Sequence, residues 1–238
     1  MAPTVRAVLC DLDDTLFDHA HASRMAVTEL HHTVSGFAGW SVEELDRRHR
    51  EVLDLMHGEV LAGRLSIVDA RVERFRRLLA AASAAAPDAH AAQVGRVYRR
   101  AYETAWQPVP GALQLLAAFK QSGLRTAVVT NNVLLEQRMK LRHCGLDAYI
   151  DALVTSEEVG VQKPDAGIFR AALDRVGAQP AEAVMLGDAW PTDIEGARAA
   201  GLRAVWFNRS GAVTGDPSVS ELRSLEPVAE ALRVIMYS

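Results

Sequence analysis

Residues 5–18 read Val-Arg-Ala-Val-Leu-Cys-Asp-Leu-Asp-Asp-Thr-Leu-Phe-Asp, with three acids inside four positions. The apolar run before these acids is rich in branched side chains, which is typical of a buried strand. The acids Asp11, Asp13 and Asp14 follow where that strand ends. Crowded carboxylates repel one another, and a bound divalent cation would offset the repulsion. Because open α/β sheets bind ligands at the carboxyl ends of their strands, we predict the active site here.

Composition limits the function classes that need to be considered. The chain has 238 residues, of which 49 % are hydrophobic and 24 % charged, as is ordinary for a globular protein. Its net charge of −4 gives no reason to expect a nucleic-acid or membrane partner. Cys10 falls in the predicted buried strand, so a disulfide framework with Cys144 is not expected. No secretory leader or membrane-spanning run is evident, and we predict a cytoplasmic location.

The pattern after the acids is helical from about residue 19 to residue 106. Ser41 with Glu44, and Ser66 with Asp69, resemble capping boxes that begin helices. Asp88 is a suitable cap for the last helix, after the break at 84–87. The predicted helices are 19–34, 42–57, 67–82 and 89–106. Together they predict a bundle of four helices.

Two prolines, Pro108 and Pro110, mark the end of this helical segment with a stiff, extended connection. Beyond them, strand and helix patterns alternate, which predicts a parallel sheet with right-handed crossovers. The predicted strands are 125–130, 152–155, 183–186 and 203–207; the predicted helices are 112–122, 134–143, 165–176, 193–200 and 227–236. We therefore predict an α/β core domain from residues 1–17 and 108–238. The helical insertion, 18–107, leaves the core directly after the acids, where it can act as a lid.

Four polar features end strands of this predicted sheet or precede its helices. They are Asp11 to Thr15, Thr130 with Asn131, Lys163 before a proline, and Gly187-Asp188 with Asp193 five residues on. Each is weak by itself, since an acid after a strand is often only a helix cap. Their occurrence together, and in this order, favours one shared site.

On these four motifs the sequence resembles the haloacid dehalogenase-like (HAD) hydrolase superfamily, as a phosphatase-type member with an all-helical cap. The family's motifs are a strand ending Asp-x-Asp-x-Thr, a strand ending Ser or Thr, a lysine, and Gly-Asp followed by another Asp. The stretches 159–169 and 187–197 are also close to the family pattern, whereas Trp190-Pro191-Thr192 departs from it. The resemblance implies a Rossmann-like three-layer core with a parallel sheet and an inserted four-helix cap domain.

The resemblance also implies catalytic roles for two of the acids. Asp11 would be the nucleophile that forms an aspartyl-phosphate. Asp13 would protonate the leaving oxygen and then activate water. Since residues two apart in an extended segment point the same way, both carboxylates can face one phosphate. Asp14 is more plausible as a turn residue than as a catalytic one.

The remaining roles concern the metal and the phosphate. Mg²⁺ would be held by Asp11, the backbone carbonyl of Asp13, and Asp188. The resemblance implies that the phosphate oxygens are bound by Thr130, Asn131 and Lys163. Two further residues would support the site without contacting the substrate. Asp193 would orient either a metal-bound water or Lys163, and Thr15 would brace the loop.

Single residues separate the reactions that share this core. Family dehalogenases lack an acid two positions after the nucleophile, so Asp13 favours phosphate chemistry. Phosphonatases use a cap lysine, and residues 18–106 contain none. We predict a Mg²⁺-dependent phosphatase acting on a small phosphorylated metabolite, as a monomer or homodimer. A sugar-phosphate mutase or phosphotransferase, and a non-catalytic phosphate-binding relative, remain alternatives. Candidates for substrate selection are Phe17, His21, Arg24 and Trp190.

Overall fold

The computed structural model describes residues 5–82, 88–213 and 216–237. It divides into two compact units. The α/β unit comprises Met1–Asp18 and Gln107–Ser238, and the helical unit comprises His19–Trp106. The helix break predicted at 84–87 lies outside the described residues. Within the described part of the chain, no helix is both long enough and apolar enough to cross a bilayer.

A six-stranded, wholly parallel sheet forms the centre of the α/β unit. Its strands are β1 (Ala7–Cys10), β2 (Arg125–Thr130), β3 (Ala152–Thr155), β4 (Ala183–Gly187), β5 (Arg203–Phe207) and β6 (Ser220–Leu222). Their spatial order is β3-β2-β1-β4-β5-β6. The predicted α/β fold class is therefore confirmed. Strand β6 was not expected, because Ser-Glu-Leu is too short to show an apolar alternation.

The register of the sheet explains why the polar motifs meet. Cys10, the last residue of β1, pairs with Val128 of β2 and Leu186 of β4. All strands run the same way, so the segments that follow β1, β2 and β4 emerge at one edge of the sheet. The chain builds outward through β2 and β3, then crosses to the other side of β1 at β4. Such a reversal of strand order opens a crevice at the carboxyl ends of the strands.

The described residues of the helical unit form four helices, and serine side chains cap two of them. The helices are α1 (His19–Thr33), α2 (Val42–Leu61), α3 (Ile67–Ala81) and α4 (Asp88–Thr104), with a short 3₁₀ turn at Ser35–Phe37. Ser41 Oγ accepts from the Glu44 N–H at 3.2 Å, and Ser66 Oγ accepts from the Asp69 N–H at 3.1 Å. Both predicted caps are confirmed. Asp88 is the first residue of α4, and its predecessor is not among the described residues.

Six further helices lie in the part of the α/β unit that the structure describes. They are α5 (Ala112–Gln121), α6 (Leu134–His143), α7 (Ser156–Val159), α8 (Ala166–Val176), α9 (Gly196–Ala199) and α10 (Val228–Tyr237), with 3₁₀ turns at Asp147–Tyr149 and Pro180–Glu182. Helix α8 buries Ile168, Phe169 and Ala172 against the sheet. The prediction of one helix over 193–200 was wrong: a π-helical turn, Trp190–Glu195, precedes a short α9.

Candidate active site

Three carboxylates converge at the carboxyl edge of the sheet. Asp11 follows β1, and its N–H donates to the carbonyl of Leu186 at 2.9 Å, which holds it level with the end of β4. Asp188 directly follows β4, and Asp193 lies in the π-helical turn. One carboxylate oxygen from each of Asp11, Asp188 and Asp193 lies within 4.8 Å of the other two. The structure thus brings together three acids that the sequence selected.

Lys163 lies among these acids and is almost completely buried. Its Nζ donates to Asp11 Oδ1 at 2.5 Å and to Asp193 Oδ1 at 2.6 Å. The Asn131 side chain fixes the Lys163 backbone, since Oδ1 accepts from the Lys163 N–H at 2.7 Å and Nδ2 donates to its carbonyl at 2.9 Å. The Lys163–Pro164 peptide bond is cis. The structure therefore uses the Asn131 side chain to position Lys163.

Burial and the crowding of three acids around a single ammonium shift the pKa values of Asp11, Asp188 and Lys163. Burial raises the pKa of Asp11 well above its ordinary value; Lys163 opposes the rise, whereas Asp193 and Asp188 add to it. Burial, followed by the charges of Asp193 and Asp14, raises the pKa of Asp188 to about 7 against the opposing effect of Lys163. Burial lowers the pKa of Lys163, but Asp11 and Asp193 raise it by more. The site has excess negative charge that a cation would neutralise.

The absence of a side chain at Gly187 leaves the space that the Asp193 side chain occupies. A Cβ added at Gly187 would lie 2.5 Å from Asp193 Cβ and 2.6 Å from its Cγ, so no side chain fits there. The Asp193 N–H donates to the Ala189 carbonyl at 2.8 Å, and the Ala189 N–H donates to Asp193 Oδ2 at 3.1 Å. The fully buried carboxylate is thereby fixed toward Lys163. The sequence placed Asp193 behind the site, and the structure pairs it with Lys163.

Asp13 is held by a separate set of side chains. Its Oδ1 accepts from Lys140 Nζ at 2.6 Å, and its Oδ2 accepts from Gln137 Nε2 at 2.9 Å. Gln137 Nε2 also donates to Thr130 Oγ1 at 2.8 Å, so Thr130 and Asp13 share one donor. Asn132 Nδ2 lies 3.4 Å from Asp13 Oδ2. The structure therefore places Asp13 beside Thr130 and apart from the Lys163 contacts.

Lys140 and Gln137 are site residues that the sequence analysis missed. They lie three positions apart on α6, and α6 starts four residues after Thr130 ends β2. Two signals were available: lysine occurs only at positions 120, 140 and 163, and the 137–140 spacing puts both residues on one helix face. Neither signal identifies the buried face, because that face carries the polar residues Glu136, Gln137 and Lys140.

The loop after β1 closes around Asp14 and Thr15. Asp14 has a φ of 62°, and its N–H donates to the Phe17 carbonyl at 2.7 Å, as suits the predicted turn residue. Thr15 is fully buried, and its Oγ1 donates to Asp188 Oδ1 at 3.3 Å. This bond connects the loop to the end of β4.

The four candidates for substrate selection have different surroundings. Phe17 is fully buried, with Lys140 Nζ 4.8 Å from its ring centroid. Trp190 Nε1 donates to Glu195 Oε1 at 3.0 Å, and its ring packs edge-to-face on Trp206 at 5.1 Å. His21 and Arg24 lie on α1 in the helical unit.

The sequence matches a known protein family over most of its length. A family model described as "Hydrolase: haloacid dehalogenase-like hydrolase" matches residues 5–201. This range includes all three acids of the cluster, Lys163 and the whole helical unit.

Curated relatives match over most of their length. A phosphoserine phosphatase from Thermus thermophilus is 33 % identical over 242 residues, covering 91 % of this chain and 93 % of that protein. A ribulose-1,5-bisphosphate 5-phosphatase from Halopiger xanaduensis is 32 % identical, with coverages of 86 % and 85 %. An N-acylneuraminate-9-phosphatase from Rattus norvegicus is 30 % identical, with coverages of 88 % and 85 %.

Solved structures show the same fold. The crystal structure of YfnB from Bacillus subtilis bound to magnesium aligns with a TM-score of 0.78 at 25 % identity, covering 97 % of this chain and 99 % of that one. A dehalogenase structure containing an intermediate complex aligns with a TM-score of 0.77 at 21 % identity, covering 100 % of both chains. The second likeness concerns the fold alone.

Proposed function

The chain belongs to the haloacid dehalogenase-like hydrolase family, and from this premise we propose that it hydrolyses phosphate monoesters of a small metabolite through an aspartyl-phosphate. Its curated relatives are phosphatases, which confirms the phosphatase-type resemblance seen in the sequence. One observation carries the proposal: Asp11 and Asp13 lie two residues apart at the end of β1, yet different lysines hold their carboxylates. Two acids in distinct surroundings can perform two distinct tasks.

In the proposed first step, a carboxylate oxygen of Asp11 attacks phosphorus and the bond from phosphorus to the ester oxygen breaks. The protonated carboxyl of Asp13 gives its proton to that oxygen, so the alcohol leaves neutral. In the second step, Asp13 takes a proton from water while the water oxygen attacks phosphorus. The bond from phosphorus to Asp11 then breaks, which releases phosphate and restores both side chains.

The donor set at this edge suits Mg²⁺. Asp11, Asp188 and the backbone carbonyl of Asp13 would supply oxygen ligands, which Mg²⁺ prefers. The fit is supported by excess negative charge: Asp11, Asp188 and Asp193 lie close together, and one ammonium, that of Lys163, pairs with Asp11 and Asp193. When bound, the cation supplies Lewis-acid stabilisation of phosphoryl oxygens. Lys163 would add positive charge, and Thr130 and the Asn131 backbone N–H would donate hydrogen bonds to those oxygens.

The helical unit would act as a cap on the α/β core, with the core formed by residues 1–17 and 108–238. The supporting feature lies within the α/β unit, at the two ends of the insertion: the Asp18 N–H donates to the Gln107 carbonyl at 3.0 Å, so the insertion leaves and returns at one place. A cap of this kind excludes water and selects the substrate. We further expect a cytoplasmic monomer or homodimer.

The first test is hydrolysis of p-nitrophenyl phosphate with and without Mg²⁺, followed by a panel of phosphorylated sugars, nucleotides and phosphoserine. We expect Mg²⁺-dependent phosphate release. Asp11→Asn should abolish turnover, because the amide is a poor nucleophile. Asp13→Asn should lower it by about 100-fold, the lower range of acid–base catalysis.

The matched control is Asp174→Asn, since Asp174 is an exposed acid on α8. It should keep wild-type activity. The proposal would be wrong if the wild type released no phosphate from any ester of the panel, or if Asp11→Asn released it at the wild-type rate. Faster transfer to an added sugar than to water would favour the phosphotransferase alternative.

A further inference from the structure

We propose that Lys140 is a positioning residue for Asp13, which aims that carboxyl group at the leaving oxygen of the ester. The inference rests on the proposed function, because it assigns Lys140 a part in the acid–base step. The Lys140 side chain is 1 % exposed, and its Nζ lies 2.6 Å from Asp13 Oδ1. A buried ammonium is costly without a partner of opposite charge, and Asp13 provides one.

Both oxygens of Asp13 are held by donors from a single helix. Lys140 binds Oδ1 and Gln137 binds Oδ2, and both donors lie on one face of α6. A carboxylate held at both oxygens cannot rotate freely about its Cβ–Cγ bond. The two contacts therefore fix the plane of the carboxylate as well as its position, as a proton donor requires.

The arrangement around Lys140 repeats the one around Lys163. Lys163 bridges Asp11 and the buried Asp193, and Lys140 bridges Asp13 and the buried Glu136, whose Oε1 lies 3.5 Å from Nζ. Each member of the Asp11–Asp13 pair thus has its own lysine, and each lysine has a second acid behind it. This division keeps the two carboxylates in separate hydrogen-bond networks.

Exposure distinguishes positioning from a purely structural ion pair. Lys140 and Glu136 have side chains that are 1 % and 7 % exposed, whereas the Asp13 side chain is 26 % exposed. The network is therefore buried on the helix side and open at Asp13. A pair that served only to attach α6 to the sheet would have no need to present its acid outward. Asp13 remains accessible to a reactant while its donors lie beneath it.

The test uses the dependence of the reaction on the leaving group. Lys140→Met removes the ammonium group and its charge and keeps an unbranched side chain that is one atom shorter. An alkyl phosphate such as glycerol phosphate needs a proton on its leaving oxygen, whereas p-nitrophenolate leaves without one. We expect kcat/KM to fall by about 100-fold for glycerol phosphate and by far less for p-nitrophenyl phosphate. The KM values should change little, because Lys140 touches no part of the substrate in this scheme.

Three comparisons make the result decisive. Lys140→Arg keeps the charge and should restore part of the loss on glycerol phosphate. Lys120→Met is the matched control, since this exposed lysine of α5 donates to the Ala148 carbonyl and should leave both rates unchanged. In an Asp13→Asn background, Lys140→Met should cause little further loss, because Lys140 acts through Asp13.

Because removal of a buried charge can unfold a protein, thermal unfolding is measured for every variant. If Lys140→Met does not fold, the double variant Glu136→Gln/Lys140→Met takes its place in the assay. The double variant removes the buried charges of both Lys140 and Glu136. Equal loss on both esters in a folded variant, or no loss on either, overturns the inference. A wild type that is inactive on both esters and on every other ester of the panel overturns the proposed function as well. An active wild type with a defective Asp13→Asn and an unaffected Lys140→Met overturns this inference alone.

Discussion

Gly187 controls the geometry of the acid cluster at the level of one residue. Its hydrogen occupies the place where a methyl group would meet the buried Asp193 side chain. We expect Gly187→Ala to push Asp193 away from Lys163 and to destabilise the protein by about 1–3 kcal/mol, as is usual for overpacking. Phosphatase activity should fall with it, because Lys163 would lose one of its two acids. Urea unfolding and steady-state kinetics measure the two effects.

Gly58→Ala is the opposite case. Gly58 lies within α2, and a Cβ there would meet nothing within 4 Å. Since alanine is the better helix former, this variant should be stabilised by up to about 1 kcal/mol. Equal stability changes of the same sign in both variants would contradict the explanation based on Asp193.

Some residues of the candidate site could be predicted from the sequence alone, and others could not. The positions of Asp11, Thr130 and Asp188 followed from strands that end in polar residues, because parallel strands bring such ends to one edge. Lys140 could not be found this way, since its role depends on which face of α6 turns inward. Phosphate binding by Asn131 stays a prediction, and the structure adds a contact that the sequence did not predict: the Asn131 side chain holds the Lys163 backbone. These hydrogen bonds join residues that are 32 positions apart, so they depend on the tertiary fold and not on the local sequence.

Among the secondary-structure elements, the packing of helices around His49 of α2 predicts that the unfolding free energy depends on pH. The His49 ring is fully buried, stacks on Tyr98 of α4 at 5.0 Å, and lies 6.2 Å from the Phe75 ring of α3. Neither ring nitrogen has a hydrogen-bond partner among the described residues. Burial, followed by the positive charges of Arg74, His19 and Arg50, lowers the pKa of His49 well below its ordinary value of 6.5.

Acid should therefore destabilise the helical unit. The unfolded chain takes up a proton at His49 near pH 6.5, whereas the folded chain does not, so the unfolding free energy falls as pH falls. Between pH 7.5 and pH 5.5, the wild type should lose about 1.4 kcal/mol more than His49→Phe. Urea titrations followed by far-UV circular dichroism measure the difference. His32→Phe, at an exposed position of α1, should keep the wild-type slope; equal slopes for wild type and His49→Phe would refute the prediction.

Element boundaries were predictable where local chemistry sets them. Ser41 and Ser66 start helices because their hydroxyls accept from N–H groups three residues later. The segment 190–195 was not predictable in the same way. Its π-helical turn depends on Asp193, whose backbone and side chain both bond to Ala189. Strand β6 likewise depends on pairing with β5 and not on its own sequence.

At the scale of the whole molecule, the path of the chain is consistent with a separable core. Asp18, the last residue of the α/β unit before the helical unit, and Gln107, the first residue after it, are joined by the backbone hydrogen bond described above. Two further contacts secure this junction within the α/β unit: the Val109 N–H donates to the Leu16 carbonyl at 2.9 Å, and Arg209 binds the Asp18 carboxylate at 2.9 and 3.3 Å. Contacts within the α/β unit thus hold together the two points at which the helical unit is inserted.

This closure predicts that the core folds without the helical unit. A chain in which a Gly-Ser linker of about four residues replaces 19–106 should show a cooperative thermal transition, because short loops cost little closure entropy. Mg²⁺ should raise its transition temperature, since Asp11 and Asp188 both belong to the α/β unit and binding stabilises only the folded state. Asp188→Asn in the shortened chain should weaken this stabilisation, which differential scanning calorimetry measures. A shortened chain with no cooperative transition would show that the sheet depends on the helices for its stability.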